Sequence, residues 1–142
     1  MRNSRNDAHN QTTSEHHSSD ALDGFTRGCA MWIMIAGPYR TGANSEADRE
    51  QNLANLNRAA YELFRKGHVP VVGVNCALPL IAAAGSDAYE SIMMPLSLAM
   101  ADRCDAVLRL GGFCPGADEE VERIRSRGGV AYYSLAEVPD AN

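Results

Sequence analysis

The sequence has little of what marks chains that enter membranes or bind nucleic acid. No apolar run approaches the length of a membrane span, and the N-terminal residues are polar, so we expect neither a transmembrane helix nor a signal peptide. The 13 Lys and Arg residues against 18 Asp and Glu give a net charge of −5 with no basic cluster. This balance argues against the binding of polymeric nucleic acid.

Cysteine is sparse, and common ligand motifs are missing. The four cysteines, at positions 29, 76, 104 and 114, form no C-x-x-C pair and no disulfide framework. Even with His68 they lack the paired spacing of a zinc site, so we expect no metal, reduced thiols and a cytoplasmic protein. The G-x-G-x-x-G and Walker A patterns are also absent. Dinucleotide or ATP binding is therefore unsupported, and no cofactor is expected.

Length and composition divide the chain into a tail and a folded part. The 142 residues, of which 45% are hydrophobic, suffice for one domain with a real core. Residues 1–29 are dominated by Asn, Ser, Thr, His and Asp, which predicts a disordered polar tail. Residues 30–142 are predicted to form the folded domain.

Strand and helix patterns alternate through the folded part. Apolar runs predict four strands, at 30–36, 68–72, 105–110 and 130–133. Amphipathic spacing predicts helices at 45–66, 87–103 and 117–127. Residues 73–86 resemble a loop because of Asn75 and Pro79. Pro70 places the second strand near an edge, and Pro95 predicts a kink or a fresh start in its helix.

This alternation predicts an α/β fold. A three-layer, doubly wound parallel sheet of four to five strands, flavodoxin-like or Rossmann-like, would form a single domain. In such sheets ligands bind outside the carboxyl ends of the strands. The segments expected at that edge are 37–40, 75–76 and 111–120.

The stretch from Leu108 to Ile124 carries the clearest chemical pattern. It predicts the end of a strand, a tight loop and the first turns of a helix. The loop glycines, which allow positive φ and close approach of a ligand, are Gly111, Gly112 and Gly116. The acids of the first turn, where N–H groups favour carboxylates, are Asp118, Glu119 and Glu120. Two interpretations stay open from these residues alone: acids that only stabilise the helix start, or a nucleophilic carboxylate beside an open crevice.

Three short motifs, in order, resemble those of a known family. They are Ile35-Ala-Gly-Pro-Tyr39 closing the first strand, Cys104-Asp-Ala-Val107 opening the third, and Gly116-Ala-x-x-Glu120-Val-Glu122 opening the next helix. Over about residues 32–133 the chain resembles the nucleoside 2-deoxyribosyltransferase-like family. That family includes nucleotide N-glycosidases and a poorly characterised bacterial subgroup.

The resemblance implies an activity and a set of site residues. Glu120 would attack C1′ of a sugar, the base would depart, and the glycosyl-enzyme ester would pass to another base or to water, as in retaining glycoside hydrolysis. Tyr39 would hydrogen-bond to that carboxylate and line the sugar pocket. The partner would be a small nucleoside or nucleotide, and the protein a homodimer or higher homo-oligomer. The substrate-binding positions implied are Gly37, Pro38, Arg40, Ser97, Gly112, Cys114 and Gly116.

Two positions depart from the family pattern. Ser97 stands where members often carry an acid, eight residues before Asp105, which itself is expected to mark the strand start. Cys114-Pro115-Gly116 replaces a Ser-x-Gly that binds phosphate in monophosphate-cleaving members, and a thiol is the weaker donor.

Two other functions therefore stay open. One is a phosphoribohydrolase, whose Gly-Gly-x-Gly-Thr-x-x-Glu loop resembles Gly111–Glu120, although the missing Thr and the Gly-Pro-Tyr motif count against it. The other is a nucleotide-binding module without catalysis.

Overall fold

Four short strands pair in parallel at the centre of the fold. The computed structural model describes residues 29–141. Within them the strands are β1 (Trp32–Ala36), β2 (Val69–Val71), β3 (Ala106–Arg109) and β4 (Val130–Tyr132). The sheet order is β2-β1-β3-β4, and every pairing is parallel. The predicted polar tail, apart from Cys29, lies outside the described residues.

Helices cover both faces of this sheet. In the described part of the chain they are α1 (Glu46–Arg65), α2 (Gly73–Ala84), α3 (Tyr89–Ala101) and α4 (Pro115–Ser126), with 3-10 turns at Ser86–Ala88 and Leu135–Glu137. Leu56 and Leu63 of α1 pack with Ile33 on one face. Val121 of α4 packs with Met34 on the other. The predicted three-layer parallel α/β fold is confirmed.

Local sequence explains how the first two elements form. Residues 33–36 of β1 are all buried, as expected for an apolar strand covered on both faces. Ser45 caps α1, because its Oγ accepts a hydrogen bond from the backbone N–H of Asp48 at 3.1 Å.

Asp105 lies just before β3, where its Oδ2 accepts a hydrogen bond from the backbone N–H of Trp32 at 2.8 Å. Asp105 thus marks the strand start, as predicted.

One prediction that rested on a proline is wrong, and a second is wrong only in part. Residues 73–84 form helix α2 rather than a loop. Helix α3 continues through Pro95 without a fresh start, and the kink that Pro95 also predicts stays a prediction. A helical proline leaves the carbonyl four residues earlier without its donor. Pro79 with Asn75, and Pro95 with Ser91, are all exposed, so water can satisfy both carbonyls. The buried face of α2 packs on α3 through Ala77, and that packing sustains the helix.

The sheet order also sets where a ligand can bind. β2 lies at one edge, as Pro70 predicts. The chain passes from β1 to β2 on one side and then to β3 on the other side of β1, so the winding direction reverses between β1 and β3. A crevice outside the carboxyl ends of these two strands is the usual ligand site of such a sheet. Among the described residues, no helix is long and apolar enough to cross a membrane.

Candidate active site

A cavity of about 300 Å³ opens beside the carboxyl ends of β1 and β3. Its walls come from the loop after β1, from α3, and from the start of α4. The volume lies at the lower end of the range of small-molecule sites. The residues predicted from the sequence that line it are Gly37, Tyr39, Arg40, Ser97, Cys114, Gly116 and Glu120.

Two predicted residues lie elsewhere. Pro38 and Gly112 line a neighbouring, more open groove, which Phe113 also lines. Pro38 has a packing role, since a Cβ built at Gly111 would lie only 2.7 Å from Pro38 Cδ. Gly111 also has φ +76°, a conformation that strongly favours glycine. The close approach of Gly111 to Pro38 packs the loop after β3 against the loop after β1, and both loops lead into the walls of the cavity.

Glu120 is the buried acid of the cavity. Glu120 is 9% exposed, and its Oε1 accepts a hydrogen bond from the hydroxyl of Ser97 on α3. Burial raises the pKa of Glu120 to about 7, while the Ser97 hydrogen bond and the charge of Arg109 oppose that rise and Glu119 adds to it. Near neutral pH, the ionised and the protonated forms of the Glu120 carboxyl group are therefore both populated.

Arg109 fixes the loop that leads to Glu120. Its side chain is 10% exposed. Nε donates to Asp118 Oδ1 at 2.9 Å, Nη2 donates to the Gly112 carbonyl at 2.8 Å, and Nη1 donates to the Leu110 carbonyl. One guanidinium thus joins the end of β3, the glycine loop and the first turn of α4. Arg109 is not among the residues predicted from the sequence, although a charge ending a buried strand is the pattern that indicates it.

The mouth of the cavity holds a stacked cation. The Arg40 guanidinium carbon lies 3.9 Å from the centroid of the Tyr89 ring, and Arg40 Nη1 lies 3.7 Å from Glu90 Oε1. Burial raises the pKa of Tyr89, so its phenol stays protonated and can donate. Neither Tyr89 nor Glu90 is predicted from the sequence. Their position on the helix that carries Ser97 is the pattern that could have indicated them.

Two further contacts shape the cavity wall. The Tyr39 carbonyl accepts a hydrogen bond from Asn52 Nδ2 at 2.9 Å, which fixes the loop after β1 to α1. Cys114 is buried, and its thiol lies 3.9 Å from the Thr41 hydroxyl on the opposite loop. Tyr39 and Glu120 line the same cavity, and a hydrogen bond between the Tyr39 hydroxyl and that carboxylate stays a prediction.

The combination of groups limits the chemistry available. Between residues 29 and 141, no three His, Cys, Asp or Glu side chains come together as a metal site requires. A buried carboxylate beside a cavity can attack an electrophilic carbon or stabilise a developing cation. No protein-family model and no curated protein sequence matches the chain.

Proposed function

We propose that the protein is an N-glycosyl transferase or hydrolase that cleaves the base–sugar bond of a (deoxy)nucleoside or nucleoside 5′-monophosphate. The family resemblance of its motifs points to this activity. The observation that carries the proposal is Glu120, a carboxyl group buried in a cavity at the switch point of the sheet. An oxocarbenium-like transition state at C1′ is stabilised by an adjacent anion, and this reaction needs no cofactor.

The proposed reaction has two displacement steps. A carboxylate oxygen of Glu120 attacks C1′, the C1′–N bond breaks, and its electron pair leaves with the base, which takes up a proton from solvent. A nitrogen of an acceptor base, or water, then attacks C1′, loses its proton to solvent and releases the Glu120 carboxylate. Tyr39 and Gly37 line the cavity where the sugar would lie.

A 5′-phosphate would find two favourable groups at this site. Arg40 supplies a cation at the cavity mouth. The Cys114-Pro115-Gly116 segment leads into α4 and offers a helix N-terminus, which favours anions even without the serine hydroxyl of the family pattern. We therefore propose that nucleoside monophosphates are bound as well as free nucleosides.

Base release from a panel of nucleosides and nucleoside 5′-monophosphates tests the proposal. Free base should be measured by chromatography with and without an added acceptor base. Release without acceptor identifies a hydrolase, and release only with acceptor identifies a transferase. Release confined to ribonucleoside monophosphates would favour the phosphoribohydrolase alternative, and binding without release would favour a nucleotide-binding module.

Turnover is expected to rise with pH and level off above about 7. Attack requires the ionised form of Glu120, whose pKa is about 7. At pH 6 the rate should be about a tenth of the plateau, because about a tenth of the carboxyl groups are then ionised. The measurement is kcat/KM for one nucleoside between pH 5 and 9. A flat profile over that range contradicts a nucleophile whose pKa is about 7.

A homodimer or higher homo-oligomer is expected, formed through α2. This helix contains no charged residue, and its exposed side chains include Cys76, Leu80 and Ala83, which recur on one face. Leu80 is 50% exposed. Light scattering at micromolar concentration should give at least a dimer mass, and Leu80→Glu should lower it. A monomeric mass for the unaltered protein would refute the expectation.

A further inference from the structure

Ser97 is a polar residue on the buried face of α3. The buried residues of this helix are Met93, Ser97 and Ala101, which recur every four positions. Ser97 is 2% exposed, and its hydroxyl donates to Oε1 of Glu120. A buried hydroxyl needs a partner, and here that partner is the acid of the cavity.

Gly73 makes room for this hydroxyl. A Cβ built at Gly73 would lie 3.0 Å from Ser97 Cβ and only 2.2 Å from Ser97 Oγ, and the second distance is closer than such atoms can approach. The first residue of α2 must therefore lack a side chain if the Ser97 hydroxyl is to keep its present position. Three elements meet at one hydrogen bond: α2 through Gly73, α3 through Ser97 and α4 through Glu120.

We propose that Ser97 is a positioning residue for Glu120: its hydroxyl holds Oε1 and leaves Oε2 to attack C1′. The attack step in this inference rests on the proposed function, whereas the hydrogen bond does not. The inference also revises the role that the family resemblance implies for position 97. The resemblance implies that the residue at position 97 contacts the substrate. In this chain the Ser97 hydroxyl instead donates a hydrogen bond to Glu120, the proposed nucleophile.

A serine at position 97 is also compatible with the negative charge that Glu120 needs as a nucleophile. An acid at position 97 would add a second carboxyl group near Glu120, and a neighbouring like charge disfavours the ionised form of a carboxyl group. A hydroxyl donor instead favours the ionised form of Glu120. The charge of Arg109, at the end of β3, also favours the ionised form of Glu120, whereas the charge of Glu119 on α4 disfavours it.

Groups on the other walls act at longer range. The charged side chains there are Arg40 and Glu90, which pair with each other. The remaining titratable groups are the phenols of Tyr39 and Tyr89 and the thiols of Cys104 and Cys114. Ser97 makes a direct hydrogen bond to Glu120, and this bond affects the pKa of Glu120 more than the charges of Arg109 and Glu119 do, so Ser97 is the polar contact that we expect to control Glu120.

Titration of the Glu120 carboxyl carbon by NMR in the full chain tests the inference without any substrate. The resonance is assigned by its loss in Glu120→Gln. Its midpoint, about 7 in the unaltered protein, should rise by about one pH unit in Ser97→Ala, because a charge-assisted hydrogen bond to the ionised form is lost. Gly73→Ala displaces the same hydroxyl from the other side and should shift the midpoint in the same direction.

Two comparisons make the test specific. The double variant should titrate no higher than Ser97→Ala, since both changes remove one and the same hydrogen bond. Ser91→Ala serves as the matched control, because this exposed serine of α3 donates to the Ala88 carbonyl at 3.0 Å, away from Glu120. Its midpoint should equal that of the unaltered protein. In the active enzyme, Ser97→Ala should lower kcat more than it changes KM and move the pH profile upward.

The outcomes separate this inference from the proposed function. An unchanged Glu120 midpoint in Ser97→Ala, or in Gly73→Ala if only that variant folds, overturns the role of Ser97 whatever the activity. A raised midpoint in a protein that releases no base supports the role of Ser97 in holding Glu120 and refutes the proposed glycosyl transfer.

Discussion

Replacing Glu120 by glutamine is expected to lower turnover by at least about three orders of magnitude while the protein stays folded. Glutamine keeps the shape of the side chain, and its carbonyl oxygen can still accept the hydrogen bond from Ser97. It carries no negative charge and cannot form the glycosyl ester, so the covalent step is lost. Substrate affinity should change only a few-fold, because the groups at the cavity mouth are untouched. The measurements are kcat for base release and the Kd of a nucleoside.

Two neighbouring acids provide matched controls. Glu119 and Glu122 lie on the same helix and are exposed. Glu119→Gln and Glu122→Gln remove the same charge and should stay near the unaltered rate, because an acid near a helix start contributes only about 0.3–1 kcal/mol through the helix dipole. Equal small losses in all three variants would return Glu120 to a helix-stabilising role. A large loss in a neighbour alone would move the nucleophile.

The fold could be predicted where local sequence decides the structure. β1 is a continuous apolar run, and a strand buried on both faces is what such a run forms in a parallel sheet. Helix α2 could not be predicted in the same way. Whether Pro79 breaks a helix depends on whether the carbonyl of Asn75 reaches water, and that exposure is set by packing against α3.

The candidate site divides along the same line. The loops after β1 and β3 could be placed together because the carboxyl ends of parallel strands share one edge of the sheet. The spacing of apolar residues does not place α3 at the site, since the angle at which this helix packs decides which of its side chains reach the cavity. Its residue Ser97 is predicted only through the family resemblance. Ser97 and Glu120 lie 23 residues apart in the sequence and meet only through that packing. For the same reason, the place of Tyr89 at the cavity appears only in the structure. The hydrogen bonds of Arg109 to the glycine loop and to Asp118 also appear only there.

Glu120→Gln is also expected to stabilise the fold at high pH. The pKa of Glu120 is about 7 in the folded protein, against a model-compound value of 4.5. A raised acid pKa means that unfolding releases a proton between these two values, so the stability of the unaltered protein falls as pH rises from about 4.5 to 7 and stays reduced above that range. The full shift corresponds to about 3 kcal/mol. Glutamine does not titrate and escapes this loss.

Urea unfolding of both proteins at pH 4.5 and pH 8 measures the effect. Glu120→Gln should differ little from the unaltered protein at pH 4.5 and exceed its free energy of unfolding by up to about 3 kcal/mol at pH 8. Glu122→Gln, an exposed control, should show no such pH-dependent gain. A Glu120→Gln difference that is equal at both pH values would show that burial does not raise this pKa.

The sign of the change in stability at pH 8 distinguishes the two interpretations of the acids in the first turn of α4. An acid that only stabilises the start of α4 favours folding when ionised, so its loss would destabilise the protein at pH 8. A carboxylate kept ionised in a buried cavity opposes folding, so its removal stabilises the protein. Greater stability together with lost turnover is the combination expected when a group is retained for catalysis at the expense of the fold. Lower stability at pH 8 in Glu120→Gln would favour the structural role.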